Sequence, residues 1–165
     1  MLSEPAAALR AIASAGFVGS LLLLGVIDFR TRRLPDRIVI PTLWAGLVLN
    51  AGYGAFATPA QAILGAAGGY LALWSLAFAY RLRRSGAAFG RGDFKLAAMI
   101  GAWLGMQALP AVLLAAFVSG TCAVLPQLLL GRARLDQAVP FGPALAIGGL
   151  LVLALGPSLD GLLPF

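Results

Sequence analysis

Long apolar runs separated by short polar segments constrain the fold of this chain more than any other feature. Of its 165 residues, 61% are hydrophobic and 11% are charged. A helix needs about 20 apolar residues to cross about 30 Å of hydrocarbon, so the chain has room for about five or six spans. This composition is typical of membrane proteins and leaves little chain for a soluble domain. We therefore expect an all-α, polytopic integral membrane protein with a single membrane-embedded domain over residues 1–165.

Six spans account for the apolar runs. They run from about Ala11 to Asp28, Arg37 to Ala55, Pro59 to Tyr80, Asp93 to Gln107, Leu109 to Leu130 and Val139 to Leu155. The first run leads directly into a polar loop and further spans, so we interpret it as a true span rather than a cleavable signal. The fourth is short, because its residues rise only about 22 Å as a helix. It therefore begins deep, lies where the bilayer is thin, or is shielded by its neighbours.

Basic residues are concentrated in alternate loops. Eleven of the 12 Lys and Arg residues fall in the loops between spans 1 and 2, 3 and 4, and 5 and 6. By the positive-inside rule these loops are cytoplasmic and both termini are external. We therefore attribute the net charge of +6 to topology and to attraction for anionic lipid, and expect the lipid bilayer rather than nucleic acid as a partner.

The residue types that are missing exclude several kinds of site. The chain has no histidine and one cysteine, Cys122, which excludes disulfide frameworks and thiolate or histidine metal clusters within one chain. A Ser-His-Asp triad is excluded as well, and the single lysine, Lys95, has no convincing serine partner for a Ser-Lys dyad. We expect neither a metal nor a cofactor.

Two aspartates adjoin long apolar runs at the predicted cytoplasmic boundary. Asp28 follows LLLLGVI at the end of span 1, and Asp93 opens span 4. An ionisable residue at such depth is costly and indicates a functional site. Two carboxyl groups sharing one proton suit an aspartic hydrolase, in which one activates water and the other donates a proton. Gly90 and Gly92 bracket Asp93 and allow a tight turn, at positive φ if required, and close approach of a substrate strand.

Each acidic residue also has a structural interpretation, which the sequence leaves open. Asp93 is suited to cap span 4, a role compatible with catalysis. Asp28 can pair with an arginine of the loop between spans 1 and 2. Asp36, after Pro35, is predicted to be a cap or turn former. We interpret the remaining acidic residues as solvated: Glu4, Asp136 and Asp160.

Three segments together resemble a known family. They are IDFRTRRLPDRIVIPTLWAGLVLN (27–50), GRGDFKLAAMIGAWLG (90–105) and PFGPALAIGG (140–149). In these segments the chain resembles the type IV prepilin leader peptidases, membrane aspartyl proteases named for a GxGD motif. A lone G-x-G-D is a weak signal, but three segments in order, with the first aspartate 65 residues before the second, are specific.

The resemblance implies an activity, a location and a site. It implies an endopeptidase of the bacterial inner membrane that removes a short basic leader from prepilins or pseudopilins, usually after glycine, at the cytoplasmic face. Pilus or secretion machinery would be further partners. The catalytic pair falls on Asp28 and Asp93. Residues near the substrate would be Pro35, Asp36, Arg37, Gly90, Gly92 and Lys95.

The chain departs from the longer family members in two ways. Those members carry an N-terminal cytoplasmic methyltransferase domain with paired cysteines, which this sequence lacks, so we expect the short, peptidase-only form. They also tend to have Glu-Gly-Met before the glycine motif, where this chain has Ala87, Ala88 and Phe89. An acidic residue at that point therefore has no counterpart here.

Helix polarity further suggests which aspartate starts as the base. Asp93 lies at the positive end of span 4 and Asp28 at the negative end of span 1, which makes Asp93 the base and Asp28 the acid. A transporter or channel using both aspartates as a proton or cation relay is the alternative function. A membrane scaffold without chemistry is a third.

Overall fold

Six α-helices make up the part of the chain that the structure describes. The computed structural model describes residues 4–83, 90–129 and 141–159. The helices are α1 (Glu4–Thr31), α2 (Asp36–Tyr53), α3 (Pro59–Arg83), α4 (Arg91–Leu104), α5 (Leu109–Leu129) and α6 (Gly142–Leu159). Each corresponds to one predicted span, and the predicted all-α class is confirmed.

Among the described residues, three helices are long and apolar enough to cross a membrane. They cover residues 5–31, 59–82 and 109–126, and a shorter apolar helix covers 142–156. Such a set of apolar helices is that of a polytopic membrane protein, as expected from the sequence.

The short helix α4 forms the centre of the fold. Ten of its 14 residues are buried, and it contacts α2, α3, α5 and α6. At about 1.5 Å per residue it is about 21 Å long. Of the explanations offered for a short fourth span, the structure supports shielding by the surrounding helices. Residues at the start of α4 are therefore held by packing on several sides.

Glycines allow α3 and α4 to touch through their backbones. A Cβ atom on Gly69 would lie 2.5 Å from the carbonyl oxygen of Ala97, and one on Gly101 would collide with the carbonyl of Gly65. Small residues at this spacing are a common helix-packing device in membranes. Gly65, Gly69 and Gly101 are therefore packing residues, and their contacts fix how α4 lies against α3.

Asn50, near the end of α2, anchors the C-terminal end of α4. It is fully buried, and its Nδ2 donates to the carbonyl oxygens of Ala102 at 2.9 Å and Trp103 at 3.0 Å. Its Oδ1 accepts from the backbone N–H groups of Phe56 at 2.9 Å and Ala57 at 3.1 Å. One side chain thus satisfies helix-end carbonyls that would otherwise be unpaired and ties them to the segment before α3.

Candidate active site

Asp28 lies in the last turn of α1, enclosed by the start of α6. It is 5% exposed, and its Oδ2 has no hydrogen-bond partner among the residues that the structure describes. Gly142, the first residue of α6, lies so close that a Cβ atom on it would be 2.5 Å from this oxygen. The Gly142 backbone N–H faces the carboxyl group without forming a hydrogen bond to Oδ2. Asp28 is therefore tightly enclosed yet incompletely hydrogen-bonded.

Asp93 is the third residue of α4 and is held by the backbone before it. It is 5% exposed, and its Oδ2 accepts a hydrogen bond from the Gly90 N–H at 2.9 Å. The Asp93 N–H donates to the Gly90 carbonyl oxygen at 3.1 Å. Gly90 rather than Asp93 is therefore the N-cap residue, although Asp93 does accept a backbone N–H at the start of the helix, as that alternative predicted. Its carboxyl group instead reaches back to the N-cap backbone, as the third residue of a capping box does.

The two aspartates line one cleft. Its volume is about 660 Å³, and the two carboxyl groups are close enough for the charge of Asp28 to act on Asp93. The residues predicted to lie near the substrate line the same cleft: Pro35, Asp36, Arg37, Gly90, Gly92 and Lys95. The fold thus brings both predicted catalytic residues and all six predicted neighbours to one place, although their roles stay predictions.

An ion pair joins α2 to α4 at this cleft. Lys95 Nζ donates to both carboxylate oxygens of Asp36, at 2.7 and 2.8 Å. The Lys95 side chain is 39% exposed and that of Asp36 is 53% exposed, so water screens the pair. Pro35 is the N-cap of α2, and Asp36 makes no capping hydrogen bond. The cap interpretation of Asp36 is therefore wrong, since its carboxylate is used across the cleft.

Gly92 and Gly90 have different surroundings. A Cβ atom on Gly92 would lie 2.9 Å from Cβ of Leu34, whereas one on Gly90 would meet nothing nearer than Asp93 Oδ2 at 3.5 Å. Positive φ occurs at neither of them, so the positive-φ turn is not formed. The space beside Gly92 is filled by Leu34, whereas the space beside Gly90 is open.

Arginines line the cleft without pairing with the buried carboxyl group of α1. Those at the cleft are Arg32, Arg33, Arg37 and Arg91. Among the described residues, the ion pair present is the one between Lys95 and Asp36, so the pairing of Asp28 with an arginine of its own loop is not formed. The cleft therefore combines a basic rim with two buried acidic groups.

Sequence reasoning did not assign roles to two residues of the site, Phe141 and Gly142. Phe141 lines the cleft and Gly142 contacts Asp28. Both lie in the segment PFGP, which carried part of the resemblance. The available signal was a glycine followed by proline where span 6 was expected to begin, since proline is favoured in the first turn of a helix.

Some predictions fall outside the described residues, and others stay untested. Asp136, Asp160 and the segment 87–89 lie outside them. Within the described ranges, no group of three His, Cys, Asp or Glu side chains could hold a metal ion. The expectation that the protein uses neither metal nor cofactor stays a prediction.

Comparison with known proteins places the chain in a family. The sequence model of the type IV leader peptidase family matches residues 15–125, more than half of the chain. The chain belongs to the type IV leader peptidase family. This confirms the family predicted from the three segments, and the two aspartates of the cleft both lie within the matched range.

Curated relatives in this family are named prepilin leader peptidase/N-methyltransferase. One from Burkholderia pseudomallei (strain 1026b) is 44% identical over 88% of this chain and 47% of its own length. One from Dickeya chrysanthemi is 44% identical over 83% of this chain and 48% of its own. The chain thus spans about half the length of these family members. No solved structure matches it.

Proposed function

We propose that this chain is an aspartic endopeptidase that removes the leader peptide from type IV prepilins or pseudopilins. Cleavage occurs at the cytoplasmic face of the bacterial inner membrane, usually after glycine, and uses Asp28 and Asp93 as the catalytic pair. Membership of the type IV leader peptidase family supports the reaction class, and the names of the relatives support the substrate class.

The observation that carries the proposal is the position of two buried carboxyl groups in one cleft. Asp28 comes from the end of α1 and Asp93 from the start of α4, and each is 5% exposed. Burial of two acidic groups within range of each other is costly unless they share a proton. That shared proton is what general acid–base hydrolysis of a peptide requires.

The chemistry follows from one ionised and one protonated carboxyl group. The ionised group takes a proton from water, whose oxygen attacks the carbonyl carbon of the scissile peptide, while the other donates its proton to the carbonyl oxygen. The tetrahedral diol then collapses: the C–N bond breaks, the leaving amine takes a proton from the protonated carboxyl group, and a diol hydroxyl gives its proton to the ionised one. One proton again remains on the pair. Because the groups are coupled, their apparent titration belongs to the pair.

Loop charge supports the cytoplasmic location. The arginines at the cleft belong to the loops that the positive-inside rule places in the cytoplasm. They do not complement a basic leader, so we assign them mainly to topology and to anionic lipid. Lys95 and Arg37 are both candidates to bind an acidic residue early in mature pilin. Because Lys95 already pairs with Asp36, we propose Arg37 for this contact.

Coexpression with a prepilin tests the proposal. Wild type is expected to produce the mobility shift of leader removal. Asp28→Asn and Asp93→Asn are each expected to abolish it, because an asparagine amide can neither take nor give the shared proton. Membrane insertion and thermal unfolding of each variant are the controls for folding. Normal cleavage by either asparagine variant would contradict a shared catalytic role.

Two other outcomes separate the alternatives. Absence of cleavage by wild type with every cognate pilin, together with aspartate-dependent proton or cation flux into vesicles, would favour the relay. Absence of both cleavage and flux would favour a scaffold. The prediction that this chain acts without methyltransferase activity is tested in the same cells by the mass of the mature pilin N-terminus.

A further inference from the structure

The backbone at the start of α6 lies directly beside the carboxyl group of Asp28. A Cβ atom built on Gly142 would lie 2.5 Å from Oδ2, 2.9 Å from Cγ and 3.2 Å from Cβ of Asp28. Real Cβ atoms are almost never within 3.0 Å of a non-bonded heavy atom, because van der Waals repulsion rises steeply there. Glycine is therefore the residue type that allows α6 to begin at position 142.

Within the described part of the chain, the carboxyl oxygen nearest to Gly142 is itself without a hydrogen-bond partner. Oδ2 of Asp28 has no hydrogen-bond partner among the described residues, and the residue is 5% exposed. A buried polar atom without a partner is costly, and a catalytic role is one explanation for keeping such an atom. The face of α6 packed against it brings no charged group, since its residues 142–159 contain none.

We propose that Gly142 is a positioning residue for catalysis, which sets the orientation of the Asp28 carboxyl group toward the cleft. Its missing side chain lets the α6 backbone, with its N–H facing the carboxyl group, support one side of Asp28. Asp28 also lines the cleft, which is where we place water and substrate. This inference rests on the proposed function for its catalytic consequence, while the contact itself is independent of it.

Other titratable groups surround the cleft and must be held constant in any test. Those lining it besides Asp28 are Asp93, Arg91 and Lys95 from α4, Asp36 and Arg37 from α2, and Arg32 and Arg33 from the segment after α1. None of them is altered by a substitution at Gly142. A changed pH profile in such a variant would therefore report the aspartate pair.

The first test compares Gly142→Ala with Gly25→Ala. Gly25 lies in the same interface between α1 and α6, but a Cβ atom there meets Ala146 Cβ at 3.4 Å, an ordinary contact. We expect Gly142→Ala to lower kcat by about 10- to 100-fold, the effect of misplacing a reacting group, with KM little changed and the pH dependence of kcat altered. Gly25→Ala should match wild type in all three. Equal kinetics and pH profiles in the two variants would overturn the proposal.

The second test needs no activity and so separates this inference from the proposed function. Thermal unfolding is measured for Gly142→Ala in wild-type and in Asp28→Ala backgrounds. Removing the carboxyl group removes the atoms at 2.5 and 2.9 Å, so the loss of Tm should be smaller in the second background. If Gly142→Ala folds only in the Asp28→Ala background, that result supports the contact in the same way. An equal loss of Tm in both backgrounds would overturn the inferred contact between Gly142 and Asp28, whether or not wild type cleaves prepilin.

Discussion

Asp28 and Asp93 occupy different environments although they line the same cleft. Asp93 accepts a hydrogen bond from its own helix start at 2.9 Å, whereas Oδ2 of Asp28 has no partner among the described residues. The sequence-based division into base and acid considered only the polarity of α1 and α4. The N-terminus of α6 beside Asp28 is a further helix end of positive polarity. The division of roles therefore stays a prediction, to be tested by kinetics.

Gly92 is predicted to be required for packing rather than for substrate access. A Cβ atom on it would lie 2.9 Å from Cβ and 3.1 Å from Cδ1 of Leu34, so Gly92→Ala should displace the segment before α2. We expect a lower Tm and a loss of cleavage of about tenfold or more, because a small displacement at a reacting site is costly. Thermal unfolding in detergent and a cleavage assay measure the two effects.

Two matched variants control this prediction. Gly90→Ala adds the same methyl group where nothing lies nearer than 3.5 Å, and the φ of −73° at Gly90 is accessible to any residue, so its Tm should equal that of wild type. Leu34→Ala combined with Gly92→Ala should recover part of the lost stability, since the Leu34 atoms at 3.1 and 3.3 Å are removed while Cβ, at 2.9 Å, remains. A Tm for Gly92→Ala as high as that for Gly90→Ala would contradict the packing role.

Among the elements, α4 is the one whose position decides the site. It is short and buried, and it is held along its length by α3 and at its two ends by α2. At the cleft end, Lys95 pairs with Asp36, and at the other end Asn50 binds its last carbonyl groups. The exposed ion pair contributes at most about 1 kcal/mol. The buried amide is therefore expected to be the stronger of the two anchors.

Asn50→Leu tests this anchor. The substitution keeps a similar volume but leaves two carbonyl and two N–H groups without their partner. We expect a loss of about 2–4 kcal/mol in the free energy of unfolding, because buried unpaired groups are costly. Ser20→Ala removes an exposed bond to the Gly16 carbonyl at 2.9 Å and should have almost no effect. A similarly small effect for Asn50→Leu would show that α4 is held by packing alone.

For the whole molecule, the distribution of charge predicts its orientation in the membrane. The cleft, with Arg32, Arg33, Arg37 and Arg91 among its lining residues, lies at the end of the helices where α2 begins. The segment between α2 and α3 lies at the other end, because α2 crosses from one end to the other. The positive-inside rule then predicts that the cleft is cytoplasmic. The pilin leader would meet the aspartates on the side where it is synthesised.

Cysteine labelling tests this orientation. Cys122 is exposed, so it is first replaced by serine, and single cysteines are placed at two exposed positions, Thr31→Cys and Ala60→Cys. A membrane-impermeant maleimide should label Ala60→Cys in intact spheroplasts and Thr31→Cys only after permeabilisation. The Cys122→Ser parent controls for background. The reverse pattern would contradict the cytoplasmic cleft.

The sequence by itself determined the membrane class, the number and order of the helices and the two candidate aspartates. Apolar runs and loop charge are local properties, so they can be read along the chain without knowing what packs on what. The GxGD segment and its companions determined the family for the same reason, since each motif is contiguous.

Only the tertiary structure decided which groups meet within the cleft. The approach of Gly142 to Asp28, the contact of Leu34 with Gly92 and the pairing of Lys95 with an acidic residue of α2 all join distant parts of the chain. Such contacts depend on how helices pack and rotate against one another, and no local periodicity specifies that. The sequence therefore named the acidic residues, and the packing of α1, α4 and α6 determined what surrounds each of them.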